Sequence, residues 1–260
     1  MKAHPTAIVS KKAKIAENVE IGPYSIIEDD VVVGSNSVVG PHVHICDGTT
    51  IGQECRIHIG AVLGDEPQDL GYKGEESYLK IGDRNRIREY ATIHRGSREG
   101  SSTVIGDDNY IMGFAHIGHN CQIGNSAVIC NNSLLGGYAR IGDSAFLSAA
   151  SLVHQFVRIG DLALLSAGAR VGRDVPPYML ADKDNTIASY NIVGIKRAGL
   201  GSAVSKEIKE AFKVLYRSGL NLSSALSKLE QTTNKEVRLI VDFIKSSERG
   251  ICFSHSNRNE

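Results

Sequence analysis

This chain carries no net charge, because 29 basic side chains offset 29 acidic ones. That excludes a bulk field drawing it onto nucleic acid or an anionic membrane, and any polyanion site must be local. Cysteines are few, five in all, an odd number with no C-x-x-C spacing. Their scarcity argues against a disulfide framework or a zinc knuckle and fits a reducing compartment. No apolar run approaches membrane-spanning length, and the N-terminal MKAHPTAIVSKKAK lacks the apolar core of a signal peptide. The expected address is the cytoplasm, without integral membrane association. What is present is a hydrophobic content of 42% over 260 residues, enough to bury a core in one large domain or two modest ones.

A period of six organises most of that content. Stepping by six from Val9 meets Ile15, Ile21, Ile27, Val33 and so on to Leu165 and Val171, with breaks only at Asp69, Glu75 and Glu99. A small residue usually stands two places earlier, as at Ala7, Ser25, Cys55, Ala91 and Ala163; Leu79, Asn85 and Asn109 are the poorer fits. Helical geometry would smear a six-residue period around the surface, whereas short strands joined by tight corners turn the aliphatic and the small residue to one face. Three such strands close a triangular coil of 18 residues, and successive coils stack at about 4.8 Å. The pattern resembles the hexapeptide repeat, and that resemblance implies an all-β left-handed parallel β-helix, a solenoid against the usual right-handed crossover.

Residues 64–78 and 95–102 are polar, glycine-containing interruptions, expected as loops leaving the coil, and loops of a rigid solenoid tend to border sites. The repeat fades after Val171. Ile208, Ala211, Phe212 and Leu215 then share a helical face, as do Val237, Ile240, Val241 and Ile244, with Asn234 as N-cap and glycines 219 and 250 as stops. The expected organisation is a β-helix over 1–190 and a C-terminal α-helical domain over 191–260 that caps its open end.

The 18-residue coil turns spacing into neighbourhood. His119 should stack with Gly137 and Gln155, and the adjacent column runs through Gly118, Gly136 and His154. One imidazole and one glycine amide suffice for acyl transfer: a base removes the proton of an attacking hydroxyl or amine, and a backbone N–H holds the oxyanion. No serine or cysteine nucleophile is placed with a base here, so direct transfer is expected. Hexapeptide coils can also hold zinc through three histidines, two of them five apart. His116 and His119 are three apart and no H-x4-H occurs, so no metal is expected. His42 and His44 have no obvious partners in their columns and are read as surface residues without a role.

Six segments carry a more specific likeness: IGDRNRIREYATIHRG at 81–96, QDLGYKGE at 68–75, AHIGHNC at 115–121, VHQF at 153–156, DVPPY at 174–178 and NIVGIKRAG at 191–199. Together they resemble the UDP-N-acetylglucosamine 3-O-acyltransferases that begin lipid A synthesis. The resemblance implies a cytosolic homotrimer with sites between neighbouring β-helices. It also implies transfer of an (R)-3-hydroxyacyl group from the phosphopantetheine of acyl carrier protein to the 3-position of a UDP-sugar, without metal or diffusible cofactor. By motif, His119 becomes the general base and Gly137 the oxyanion donor. Asp69 contacts the sugar, and His116 and His154 line the sugar and acyl region. Gln155, Asn191 and Arg197 hold the nucleotide and its phosphates, and Ala167 occupies the position that limits acyl length.

The chain departs from the family pattern at four of these places. Asn120 stands where Asp is common and can hydrogen-bond the imidazole without stabilising imidazolium by charge. Val193 replaces Glu, Ala198 replaces a second Arg, and Tyr138 replaces a His. Arg84, Arg86, Arg88, Arg95 and Arg98 are candidates for docking the acidic carrier protein. Alternatives are N-acylation of a 3-amino UDP-sugar, another hexapeptide acyltransferase, and a non-enzymatic β-helix scaffold. The scaffold reading lacks the threonine ladder that an ice-binding surface would need.

Overall fold

The computed structural model describes residues 1–254. Two-residue strands recur every six positions and assemble into three sheets, parallel throughout the coils, that form the three faces of a left-handed β-helix. Pairing follows the 18-residue column where the repeat is unbroken, as in Ile27 with Ile45 and Leu135 with Val153. Ile27, Ile45, Leu63, Ile93, Ile117 and Leu135 lie in one ladder, and each is at most 1% exposed. Full burial of such side chains contributes on the order of 1.5–3 kcal/mol each.

The small residues settle the crowded corners. Ser25, Ser37 and Ser133 donate their hydroxyls to the carbonyls of Gly40, Gly52 and Ser148. Asn85 and Asn109, expected to fit the frame poorly, are fully buried for the same reason. Their amides donate to the carbonyls of Gly106 and Gly124, and their side-chain oxygens accept the N–H groups of Asn109 and Ala127 in the next coil. An amide that satisfies both neighbours can sit where Ala or Ser would. Most corners also place one residue at positive φ, including Asn120 at 59° and Tyr138 at 61°.

Both interruptions leave the coil and return to it in frame. Ile57 pairs with Ile87 and Leu63 with Ile93, an offset of 30; Ile87 pairs with Ile111 and Ile93 with Ile117, an offset of 24. The loops thus add two hexads and one hexad to the 18-residue coil. Strands Val62–Asp65, Tyr78–Ile81 and Ser102–Ile105 extend into the edges of the expected loops, trimming them to 66–77 and 95–101. Gly64, at φ 80°, marks where the register slips and the first loop departs.

Above the last coil, the antiparallel hairpin of Met179–Lys183 and Thr186–Tyr190 continues one sheet. Helices α1 (Ile192–Arg197), α2 (Ser202–Tyr216), α3 (Leu222–Leu229) and α4 (Lys235–Lys245) follow. Asn234 caps α4 by accepting the Val237 N–H, and α4 buries Val237, Ile240, Val241 and Ile244. Buried Asp174 ties this region to the solenoid: it accepts from Arg158 Nε at 2.8 Å and from the Ser247 hydroxyl at 2.8 Å, while Arg158 donates onward to the Phe243 carbonyl.

Candidate active site

On one edge of the prism, a cavity of about 570 Å³ opens beside the corner that follows strand His116–Ile117. Its size suits a small-molecule ligand. His94, His116, His119, Gly137, His154 and Gln155 line it, and Leu134 and Leu152 give it an apolar wall.

His119 has its tautomer fixed by the residue beside it. Asn120 Oδ1 accepts the Ser97 N–H at 3.0 Å and the Ser97 hydroxyl at 3.1 Å, which identifies that atom as the oxygen. His119 Nδ1, 2.9 Å away, must therefore be the donor. Nε2 is left with a lone pair, the form a general base requires. This Nε2 points at the Gly137 backbone, so closely that an added Cβ there would lie 2.5 Å from it. Close approach, rather than backbone conformation, is what demands glycine. Among the described residues no group accepts the Gly137 N–H, leaving it available to a developing oxyanion.

Asp69 reaches the same atom from the first loop, its Oδ2 lying 3.9 Å from His119 Nε2. The Gly71 N–H, donating to Asp69 at 2.9 Å, holds this carboxyl below its usual range, helped by Ser97 and His119. An ionised carboxylate therefore stands where charge would develop on the imidazole. His116 differs from His119: burial first, then its neighbours His94 and His119, lower it to about 4, so it is neutral at pH 7. Its Nδ1 lies 2.9 Å from the Thr92 hydroxyl. Tyr138 meets the His119 ring edge-on at 5.4 Å and stacks on Phe156 at 4.9 Å. The phenol packs the imidazole into place.

Profiles of two families match the sequence: bacterial transferase hexapeptide (six repeats) over residues 12–47 and 102–137, and UDP N-acetylglucosamine O-acyltransferase, domain 2, over 174–252. The acyl-[acyl-carrier-protein]--UDP-N-acetylglucosamine O-acyltransferase of Sulfurihydrogenibium sp. (strain YO3AOP1) is 50% identical to it, across 98% of this chain and 96% of that protein. The chain belongs to this acyltransferase family. Solved structures agree. The UDP-N-acetylglucosamine acyltransferase of Francisella novicida superposes with a TM-score of 0.94 at 41% identity, covering 98% of this chain and 95% of that one. The enzyme from Campylobacter jejuni does so at 0.91 and 34%, covering 97% and 99%.

In this acyltransferase, His119, Gly137, Gln155, His116, His154 and Asp69 come together at one site. Asn191, Arg197 and Ala167 do not line that cavity. Asn191 is buried, its amide donating to the Leu162 carbonyl and its oxygen capping α1 through the Gly194 N–H. Arg197 is exposed in the last turn of α1, and Ala167 sits exposed at a corner. Sequence reasoning missed His94. It donates Nδ1–H to the Glu66 carbonyl, and its ring lies 5.2 Å from that of His116. The signal was present: Thr92 pairs with His116, which sets His94 one coil from Gly118 in the column that continues to Gly136 and His154. The six extra residues of the second loop hid it from an 18-residue count.

Proposed function

We propose that this chain transfers an (R)-3-hydroxyacyl group from acyl carrier protein to the 3-hydroxyl of UDP-N-acetylglucosamine, with His119 as general base. The names of its relatives supply donor and acceptor. The observation that carries the mechanism is the bare Nε2 of His119, locked by Asn120 and close to both Gly137 and Asp69. The sugar oxygen attacks the thioester carbonyl carbon as Nε2 takes its proton. Gly137 donates its N–H to the resulting oxyanion. Collapse breaks the C–S bond, and the imidazolium returns the proton to the departing phosphopantetheine thiolate. The products are the 3-O-acyl UDP-sugar and the free carrier thiol.

Asp69 contacts the sugar and supplies the negative charge that Asn120 cannot, favouring imidazolium as it forms. Leu134 and Leu152 receive the acyl chain near the thioester, with Ala167 setting how far it extends. A homotrimer with sites between neighbouring solenoids brings in Arg197, which sits apart from the cavity of its own chain; Asn191 sets the α1 turn that presents it. His154, with His116, lines the sugar and acyl region, and Gln155 faces the nucleotide. All five cysteines are free and buried, in keeping with a cytoplasmic address. Among the described residues no helix is long and apolar enough to cross a membrane.

The test is transfer from 3-hydroxyacyl carrier protein to UDP-N-acetylglucosamine by the native chain and by His119→Ala, both checked for trimeric state. A loss of roughly 10²–10⁴-fold in kcat with unchanged assembly is expected. Retained activity in the variant removes His119 as base. A native chain that acylates only the 3-amino analogue changes the acceptor and leaves the machinery intact.

A further inference from the structure

Two coils below His94 at the floor of the cavity, on the same edge of the solenoid, Glu28, His44 and Cys46 converge. Their ligand atoms all lie within 4.8 Å of one another. His44, expected from the sequence to be without a partner, stands 2.7 Å from Glu28 Oε1 through Nε2. The offset of 16 explains the omission. Glu28 follows its strand by one residue and His44 precedes the core position by one, so they meet diagonally across adjacent coils instead of in one column.

We propose that Glu28, His44 and Cys46 form a binding site for a thiophilic divalent cation, with zinc the best fit. Carboxylate, imidazole and a thiol that releases its proton to solvent as the ion binds are three good ligands for a borderline-soft ion, and the sulfur selects against magnesium and calcium. Tetrahedral zinc, with bonds of about 2.0–2.3 Å, separates its ligand atoms by roughly 3.3–3.7 Å. The Glu28–His44 pair, at 2.7 Å, opens by roughly 0.6 Å and the Cys46 thiol, within 4.8 Å of both, closes by at most about 1.5 Å to reach this spacing, a matter of side-chain rotation.

The backbone beneath these residues is held by the coil lattice: Glu28 N–H donates to the Ile45 carbonyl at 3.0 Å and Cys46 N–H to the Leu63 carbonyl at 2.9 Å. The Asp47 N–H donates to Glu28 Oε2 at 3.0 Å and orients the carboxylate from behind, the outer-shell support that metal ligands normally have. Charge favours a cation as well. Glu28, Asp65 and Asp47 all act on Cys46, against the single opposing guanidinium of Arg95, which is turned to the Asp47 carbonyl, Tyr72 and Glu66. Cys46 is buried, while Glu28 and His44 are each over one-third exposed, so an ion can enter from solvent and keep a water as fourth ligand.

The test is Co²⁺ titration of the chelator-treated full chain, read by the thiolate-to-cobalt charge-transfer band, with Zn²⁺ as competitor and melting temperature as a second readout. One equivalent should bind with that band, and Zn²⁺ should displace it and raise the melting temperature. Cys46→Ser should lose the band. His44→Ala and Glu28→Gln should weaken Co²⁺ binding roughly 10- to 100-fold or more, since even outer-shell losses cost that much. Should Cys46→Ser fail to fold, His44→Ala, at a partly exposed ring, decides alone. The proposal is overturned by no band and no shift, by a band that survives Cys46→Ser, or by binding that disappears with His119→Ala instead.

Discussion

The lower coils, residues 1–63, and the upper coils, residues 78–171, share one lattice yet differ in what their corners carry. In the strand ladder that runs through both, His44 pairs with Val62, Val62 with Thr92 and Thr92 with His116. Below, the corner beside this ladder presents Asp29 and Asp47; above, the corresponding corner presents His119, Gly137 and Gln155. The interior is the same stack of Ile, Val and Leu in both. Stability is therefore distributed along the whole solenoid, whereas chemistry is local, set by a few corner residues and by two loops, one leaving between the halves and one from the first coil of the upper half.

The sharpest way to break this comparison is to make the upper half resemble the lower one. Replacing residues 66–77 by a tight connection that keeps the hexad frame removes Asp69 and the Glu66 carbonyl that holds His94. Because the loop adds whole hexads, the coils on either side should keep their register. The expected outcome is a chain that melts cooperatively with unchanged circular dichroism but transfers acyl groups at least about 10³-fold more slowly, since proximity and electrostatic contributions are lost together. Loss of both fold and activity would show that the loop also builds the lattice.

Two glycines sharpen the comparison further. In Gly137→Ala the new methyl meets the His119 ring, 2.5 Å from Nε2. In Gly40→Ala it meets backbone, 2.9 Å from the Ile57 carbonyl oxygen and 3.1 Å from the Ile59 nitrogen. The imidazole can rotate away and the coil cannot. Gly137→Ala should thus cost about 10² in kcat, the scale of an ångström's misplacement, with little change in melting temperature. Gly40→Ala should cost about 1–3 kcal/mol of stability and leave the turnover of folded enzyme unchanged. Chemical denaturation and steady-state kinetics on both variants separate the two effects.

The same division explains what the sequence could disclose. The solenoid was legible because each hexad repeats the same steric demand, and Val9 to Val171 advertise it many times over. The helical faces of α2 and α4 were legible for a related reason, since Phe212 and Val241 stand at helical spacing from other buried residues. His119 and Gly137 were found because an unbroken 18-residue column joins them. His94 lies across a loop that shifts the offset to 24, and Glu28 and His44 meet on a diagonal, so counting along columns finds neither. The Asn120 contact was anticipated as a weaker partner to the imidazole. Only the Ser97 N–H, delivered by the second loop from 23 residues away, reveals that Asn120 fixes the tautomer.

That last contact leads to the smallest and most diagnostic change. In Asn120→Asp, the carboxylate can still accept from the Ser97 N–H, the Ser97 hydroxyl and His119 Nδ1–H, and no hydrogen bond from the Asn120 side-chain amine is lost among the described residues. What changes is charge: a carboxylate beside the imidazole favours imidazolium. Activity needs the neutral ring, so protonation sets the acid limb of kcat/KM. That limb should move to higher pH, while the high-pH plateau stays within a few-fold of the native value. A pH–rate profile of the two proteins reads this directly. An unmoved limb would mean that Asn120 orients the ring without being electrostatically coupled to the proton it carries, and that Asp69 alone supplies the charge imidazolium needs.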